Sequence, residues 1–180
     1  LKSGYLGVDA FFVINGFFII PSIIKNIACN TFSLKNYLLK RTLRLLPLIL
    51  IASVISLLFG YWLMLPDDYE NLSQSVVASS FFSNNILSAV TTSDYWNTAN
   101  DYKPLMHLWY VGVLFEFYII LPVILMPAKW ISTKMNKDGF KAMVLVLCIF
   151  FVVSLLLYIA YPTTDGHRFY FPQFRFYELA

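Results

Sequence analysis

Four stretches of this chain stay apolar for about twenty residues, the length a helix needs to cross a bilayer core of about 30 Å. They are residues 5–24, 45–65, 105–126 and 142–161. The first holds one charge, Asp9; the third holds His107 and Glu116; the second and fourth hold none. Lipid offers no partner to a free backbone amide, so such runs predict helices. The alternating segments of a membrane β-barrel are not the pattern seen. A fifth stretch, residues 73–90, differs. Nine of its eighteen residues are Ser, Asn or Gln, while Val76, Val77, Phe81, Phe82, Ile86 and Val90 recur at helical spacing. Periodicity alone allows a polar helix packed among others, a re-entrant segment or a span.

Charge arbitrates. Residues 25–44 carry Lys25, Lys35, Lys40, Arg41 and Arg44 and no acid. The next connector, 129–141, carries Lys129, Lys134, Lys137 and Lys141 against Asp138. The positive-inside rule places both in the cytoplasm. Residues 66–104, with Asp67, Asp68, Glu70, Asp94 and Asp101 against Lys103, then lie outside. Two basic loops on one side require an even number of crossings between them. Residues 45–65 and 105–126 supply two, so residues 73–90 do not span. The expected fold is an all-α polytopic transmembrane bundle with four spanning helices and one polar, non-spanning helix. Tyr61, Trp62, Trp109, Tyr110, Trp130, Tyr158 and Tyr161 fall near span ends and read as an interfacial aromatic belt.

Composition agrees with a multi-pass membrane protein. Of 180 residues, 59% are hydrophobic and 13% charged, where soluble domains carry about 25% charged residues. The mean hydropathy is +0.67. Disorder needs the opposite balance. Cys29 and Cys148 are the only cysteines, too few for a disulfide scaffold, and with His107 and His167 they make no zinc set. No metal is expected. The net charge of +3 is explained by the two basic loops and implies no nucleic-acid partner. The chain opens on Leu1 and closes on Ala180, straight after a candidate helix start, and reads as a piece of something longer.

Several residues could carry chemistry. Asp9 is an ionisable group inside an apolar run, which normally faces a partner or a watery cavity; an interfacial carboxylate reaching out to water is the alternative. Gly4, Gly7 and Gly16 around it allow close helix approach or a local break. Arg41 and Arg44, three apart, share a helix face and form a fork suited to phosphate or carboxylate, with Lys40 beside them. Topology signals or contacts to anionic lipid are the plainer reading. His107 sits near the outer end of its run and Glu116 near mid-membrane, nine residues on; each has a structural alternative. Arg175 and Glu178 are spaced for an i, i+3 salt bridge at the start of a further helix, with His167 and Arg168 before them.

Four patches, in order, resemble one family. Gly4-Tyr5-Leu6-Gly7-Val8-Asp9-Ala10-Phe11-Phe12-Val13-Ile14-Asn15-Gly16-Phe17-Phe18-Ile19 resembles the G-G-x-x-G-V-D-x-F-F-V-x-S-G-F-L-I signature of membrane acyltransferase family 3. Lys40-Arg41-Thr42-Leu43-Arg44 before Pro47 resembles its R-x-x-R. Pro104-Leu105-Met106-His107-Leu108-Trp109, continuing to Phe117-Tyr118, is similar to its P-L-L-H-x-W-S-L-S-V-E-E-Q-F-Y. Phe169-Tyr170, continuing to Arg175-Phe176-Tyr177-Glu178-Leu179, is similar to its F-Y-x-x-x-T-R-x-W-E-L. Asn15 stands where the family has Ser. Its two adjacent glutamates fall on Leu114 and Phe115, so the carboxylate of Glu116 is displaced to another helix face.

The resemblance implies that residues 1–180 are a partial acyltransferase-3 transmembrane domain, about half of the core, with a histidine-bearing helix before Leu1 and further helices after Ala180. It implies an O-acyltransferase in the cell membrane, of the bacterial plasma (inner) membrane type. Such an enzyme takes an acyl group, typically acetyl, from cytoplasmic acetyl-CoA and passes it to a hydroxyl of a surface glycan such as peptidoglycan, exopolysaccharide or lipopolysaccharide. Acyl-CoA is then a donor substrate and no cofactor is permanently bound. Membrane lipid, acyl-CoA and the glycan are the expected partners. Arg41, Arg44 and Lys40 become the candidate donor-binding set. Asp9, His107 and Glu116 become the candidate catalytic groups, and Gly7, Gly16, Trp109, Arg175 and Glu178 the structural motif. The competing class is a transporter or channel without acyl-transfer chemistry, for which the polar residues of 73–90 would line a path.

Overall fold

Long apolar runs with few breakers close their own backbone hydrogen bonds, and the computed structural model is correspondingly helical, with no strand among the described residues. The structure describes residues 6–91, 103–136, 138–161 and 170–179. Among the described residues seven α-helices follow in order: α1 Leu6–Ala28, α2 Leu34–Leu63, α3 Pro66–Ser80, α4 Asn84–Thr91, α5 Trp109–Lys134, α6 Gly139–Ala160 and α7 Phe176–Leu179. Short 3-10 turns, Met106–Leu108 and Pro172–Phe174, lead into α5 and precede α7. Among the described residues four helices are long and apolar enough to cross a membrane: Gly7–Ala28, Leu34–Leu63, Met106–Lys134 and Gly139–Ala160. Their large side chains point outward as lipid requires: Phe17, Leu48, Phe59 and Ile159 are all exposed. This is a multi-pass membrane bundle.

Helix ends depart from the apolar boundaries. α2 begins at Leu34, about three turns before the apolar run, and holds Pro47 inside it. α5 continues past Met126 to Lys134 and holds Pro122 and Pro127. Charged residues do not stop a helix once it is nucleated, and transmembrane helices tolerate proline. Lys35, Lys40, Arg41 and Arg44 therefore sit on helix, as do Lys129 and Lys134.

The polar stretch 73–90 is two helices, not one. α3 starts on Pro66 with Asp67 and Asp68 in its first turn, which suits the positive end of the helix dipole. It stops where Phe82 takes φ 56°, the left-handed region. The Phe82 amide donates to Ser79 O at 3.0 Å and the Ser83 amide to Ala78 O at 2.8 Å, the bond pair of a Schellman cap. Phenylalanine is an unusual residue there, costing about 1–2 kcal/mol. Its ring is held by stacking on Phe115, with centroids 4.1 Å apart. Neither α3, with 15 residues, nor α4, with 8, is long enough to span.

The contacts divide the chain into two units. The first comprises Leu1–Leu38, Glu116–Tyr161 and Pro172–Ala180; the second comprises Leu39–Phe115 and Pro162–Phe171. In the first, α7 and the turn before it pack on α1 and α6. Phe176 meets Phe117 and Phe150, Phe174 meets Tyr161, and Phe12 meets Phe117 edge-on. In the second, Ile49, Phe82 and Val111 form a small core covered by Leu45, Leu46, Leu108, Tyr110 and Phe115. Asn84 Nδ2 donates to Leu105 O at 2.8 Å and Asn85 Nδ2 to Tyr170 O at 3.2 Å, so buried amides tie α4 to the chain around it.

Candidate active site

The first unit holds a buried ionic cluster. Arg175 sits on the residue just before α7, with its side chain 9% exposed. Its Nη1 donates to both oxygens of Glu178 at 3.0 Å and to Asp9 Oδ1 at 3.1 Å. Glu178 is the expected i, i+3 partner, and it is 7% exposed. Asp9, 166 residues away in sequence, is the partner that spacing could not supply. Its side chain keeps 36% exposure, so the Arg175 bond fixes one oxygen and leaves the group reachable. One cation faces two carboxylates. Glu178 lies outside the four long helices; burial holds its carboxyl above the usual carboxylate range, with Arg175 acting against the rise and Asp9 adding to it.

Local chemistry explains how the cluster is positioned. The Tyr177 amide, at the start of α7, donates to Ser154 Oγ of α6 at 3.2 Å. Gly16 lets α1 approach so closely that a Cβ there would overlap the Leu179 carbonyl oxygen and lie 2.8 Å from its carbon. A Cβ at Gly7 would meet nothing within 4 Å, so the close approach expected around Asp9 belongs to Gly16 and not to Gly7. Gly4 lies outside the described residues, as do His167, Arg168, Lys137, Asp94 and Asp101.

The second unit holds the basic fork. Arg41 is half-buried, and Arg44 and Lys40 are exposed on α2. At three residues apart on one helix, the two arginines share a face. His107 is exposed on the 3-10 turn that leads into α5. Glu116, which belongs to the first unit, is half-buried within α5. Trp109 is not part of an interfacial belt. It is 1% exposed and meets Tyr170 edge-on with centroids 5.7 Å apart. Trp62, Tyr61 and Trp130 are exposed, as belt residues are.

Known proteins match most of this chain. The model of the family described as "Acyltransferase domain" matches residues 3–177. A candidate O-acetyltransferase of Staphylococcus aureus (strain COL) is 29% identical over 185 residues, 95% of this chain and 28% of that protein. The "Peptidoglycan O-acetyltransferase OatA" of Listeria monocytogenes is 28% identical over 172 residues, 94% of this chain and 27% of that protein. An uncharacterized protein of Haemophilus influenzae is 30% identical over 152 residues, 81% of this chain and 58% of that protein. The chain thus spans between a quarter and three fifths of the length of these relatives. No solved structure matches it. Matched across residues 3–177, nearly its whole length, the chain belongs to the acyltransferase family.

Proposed function

We propose that this chain is part of a membrane O-acyltransferase that moves an acyl group, of acetyl size, from acyl-CoA on the cytoplasmic side to a hydroxyl of a cell-surface polysaccharide. The observation that carries the reading is the family match over residues 3–177. The name of the Listeria relative supports a glycan acceptor. In the reaction, the sugar oxygen attacks the thioester carbonyl. A C–O bond forms, the C–S bond breaks, and the hydroxyl proton passes by way of a base to the departing coenzyme A thiolate. Arg41 and Arg44, with Lys40 beside them, offer guanidinium forks to the donor's phosphates. Asp9 is a carboxylate held by Arg175 and able to orient a base. His107 is an exposed imidazole able to take a proton. Glu116 is the third candidate, on the helix that His107 precedes. Mere transport would require none of these groups to touch a thioester.

The donor assignment turns on one substitution pair. Lysine keeps charge but loses the planar fork. In the full-length protein, Arg41→Lys with Arg44→Lys should weaken acyl-CoA binding about ten-fold or more, since a charge-assisted hydrogen bond contributes about 1.5–3 kcal/mol. Calorimetric donor affinity in correctly inserted protein measures this. Unchanged affinity returns the pair to topology or lipid contact.

Sidedness has its own test. With Cys29 and Cys148, both exposed, first replaced by serine, Asn71→Cys and Asn136→Cys should react with a membrane-impermeant thiol reagent from opposite faces of the membrane. Asn71 lies on α3, and Asn136 follows α5. Labelling from one face would overturn the orientation.

A further inference from the structure

A groove of about 340 Å³ opens in the first unit where α1 ends and α5 ends. One half is apolar, made by Ile27, Phe32, Met126 and Trp130; the other is polar, made by Asn30, Lys129 and Thr133. Lys129 is its fixed point. The ammonium donates to the Ile27 carbonyl, to Ala28 O at 3.0 Å and to Asn30 Oδ1 at 2.8 Å. All three acceptors are neutral. They are the last carbonyls of α1 and the amide of Asn30, whose φ of 56° closes that helix. The negative end of a helix dipole offsets only about half a unit charge. The rest of the lysine's charge meets no carboxylate among the groove residues. Asp138, the nearest acid in sequence, is engaged by the Phe140 amide at 3.0 Å and by Lys141 at 3.9 Å. Lys134 adds a second cation, its Nζ 5.4 Å from the centre of the Trp130 ring. Trp130 itself is 66% exposed, as aromatic anchors at a membrane–water boundary are.

We infer that this groove seats an anionic phospholipid of the adjoining leaflet, its phosphodiester at Lys129 and the upper part of an acyl chain along Met126, Phe32 and Trp130. The occupant is assigned from charge and shape. A partly shielded ammonium already held in place loses little side-chain entropy when an anion arrives. Asn30 Oδ1 is the one acceptor a phosphate oxygen can replace, because the two carbonyls belong to the helix end. A soluble phosphate would use the cation and leave the apolar half wet. A zwitterionic headgroup brings its own ammonium to a site that already has two. Phosphatidylglycerol, which has a phosphate and no cation, satisfies both halves. The inference rests on the membrane setting and the groove, and needs no acyl-transfer chemistry.

The full-length protein is reconstituted in bilayers of phosphatidylcholine with phosphatidylglycerol, and the lipid retained after mild extraction is counted by native mass spectrometry. Wild type should keep one phosphatidylglycerol in preference to phosphatidylcholine. Lys129→Gln should lower that retention about five-fold, the expected weight of one lysine near an anionic headgroup, and Lys129→Arg should keep it. Lys129 also caps α1, so Lys129→Gln could fail to fold. Met126→Trp therefore fills the apolar half and leaves the cap alone, and it should lower retention at least as much. Equal retention of the two lipids by wild type overturns the inference. So does a filled groove that still keeps phosphatidylglycerol, which would mean that general surface charge was at work. Displacement of the lipid by millimolar inorganic phosphate overturns it as well, in favour of a phosphate site.

Discussion

Arg175→Met is expected to destabilise the folded protein by about 3–5 kcal/mol, the cost of removing one partner from a buried ion pair. The reason lies in what stays behind. Glu178 is 7% exposed and would lose the guanidinium that contacts both of its oxygens. Asp9, with 36% exposure, could turn partly to water. The penalty therefore sits mostly on Glu178, and this can be read out. Arg175→Met combined with Glu178→Leu removes the stranded carboxylate and should recover more than half of the loss, because an apolar pair of similar volume is tolerated where a lone charge is not. Arg175→Lys should fall between, since it keeps the charge but places a compact, strongly hydrated ammonium on a different stem. Unfolding of the purified full-length protein by graded denaturing detergent gives the three differences. A cost under about 1 kcal/mol for Arg175→Met would show that the cluster is solvated like a surface pair.

The same cluster shows what can be read from a sequence and what cannot. The Arg175–Glu178 bond follows from spacing along a helix, a local rule. The Arg175–Asp9 bond joins residues 166 apart, and nothing periodic connects them. The four spans were legible because lipid demands a continuous apolar run, a strong one-dimensional signal. Their ends were not. α2 starts at Leu34 and α5 runs to Lys134 because basic residues at the membrane edge are good helix formers and continue the hydrogen-bond ladder. The break in residues 73–90 carried no glycine or proline to announce it. Phe82 holds a left-handed backbone through its stack on Phe115, a tertiary cause.

Trp109 shows the limit of positional reasoning from the other side. Its place beside a span end matches an interfacial anchor, yet it is buried against Tyr170, which sequence distance hides. Of the candidate site, the pieces carried by motifs were legible as residues: Asp9, Arg41, Arg44 and His107. Their local settings come from tertiary packing, among them the guanidinium on Asp9 and the exposed turn that holds His107. Lys129 was legible only as one charge in a basic connector, and its bonds to the end of α1 depend on two helices meeting.

Gly16→Ala should destabilise the protein by about 2 kcal/mol, while Gly7→Ala on the same helix should be neutral or stabilising by up to about 1 kcal/mol. Both substitutions add one methyl group to α1. Alanine is preferred over glycine by about 1 kcal/mol in a helix interior, where Gly16 lies, and by less at Gly7, in the first turn of α1. They differ in what the methyl meets. At Gly7 there is nothing within 4 Å. At Gly16 the new carbon would overlap the Leu179 carbonyl oxygen and lie 2.8 Å from the carbonyl carbon and 3.2 Å from Cα. These are backbone atoms, so no rotamer change clears them, and α7 must move. Overpacking of this kind costs about 1–3 kcal/mol, and a rigid backbone neighbour puts it near the top of that range. The displacement also reaches the ionic cluster, since Leu179 follows Glu178 directly and α7 is only four residues long. Gly16→Ala should therefore weaken the coupling between Asp9 and Arg175 that a double-mutant cycle measures, and Gly7→Ala should leave it intact. Equal stabilities for the two alanine variants would mean that α7 does not sit against α1 at Gly16.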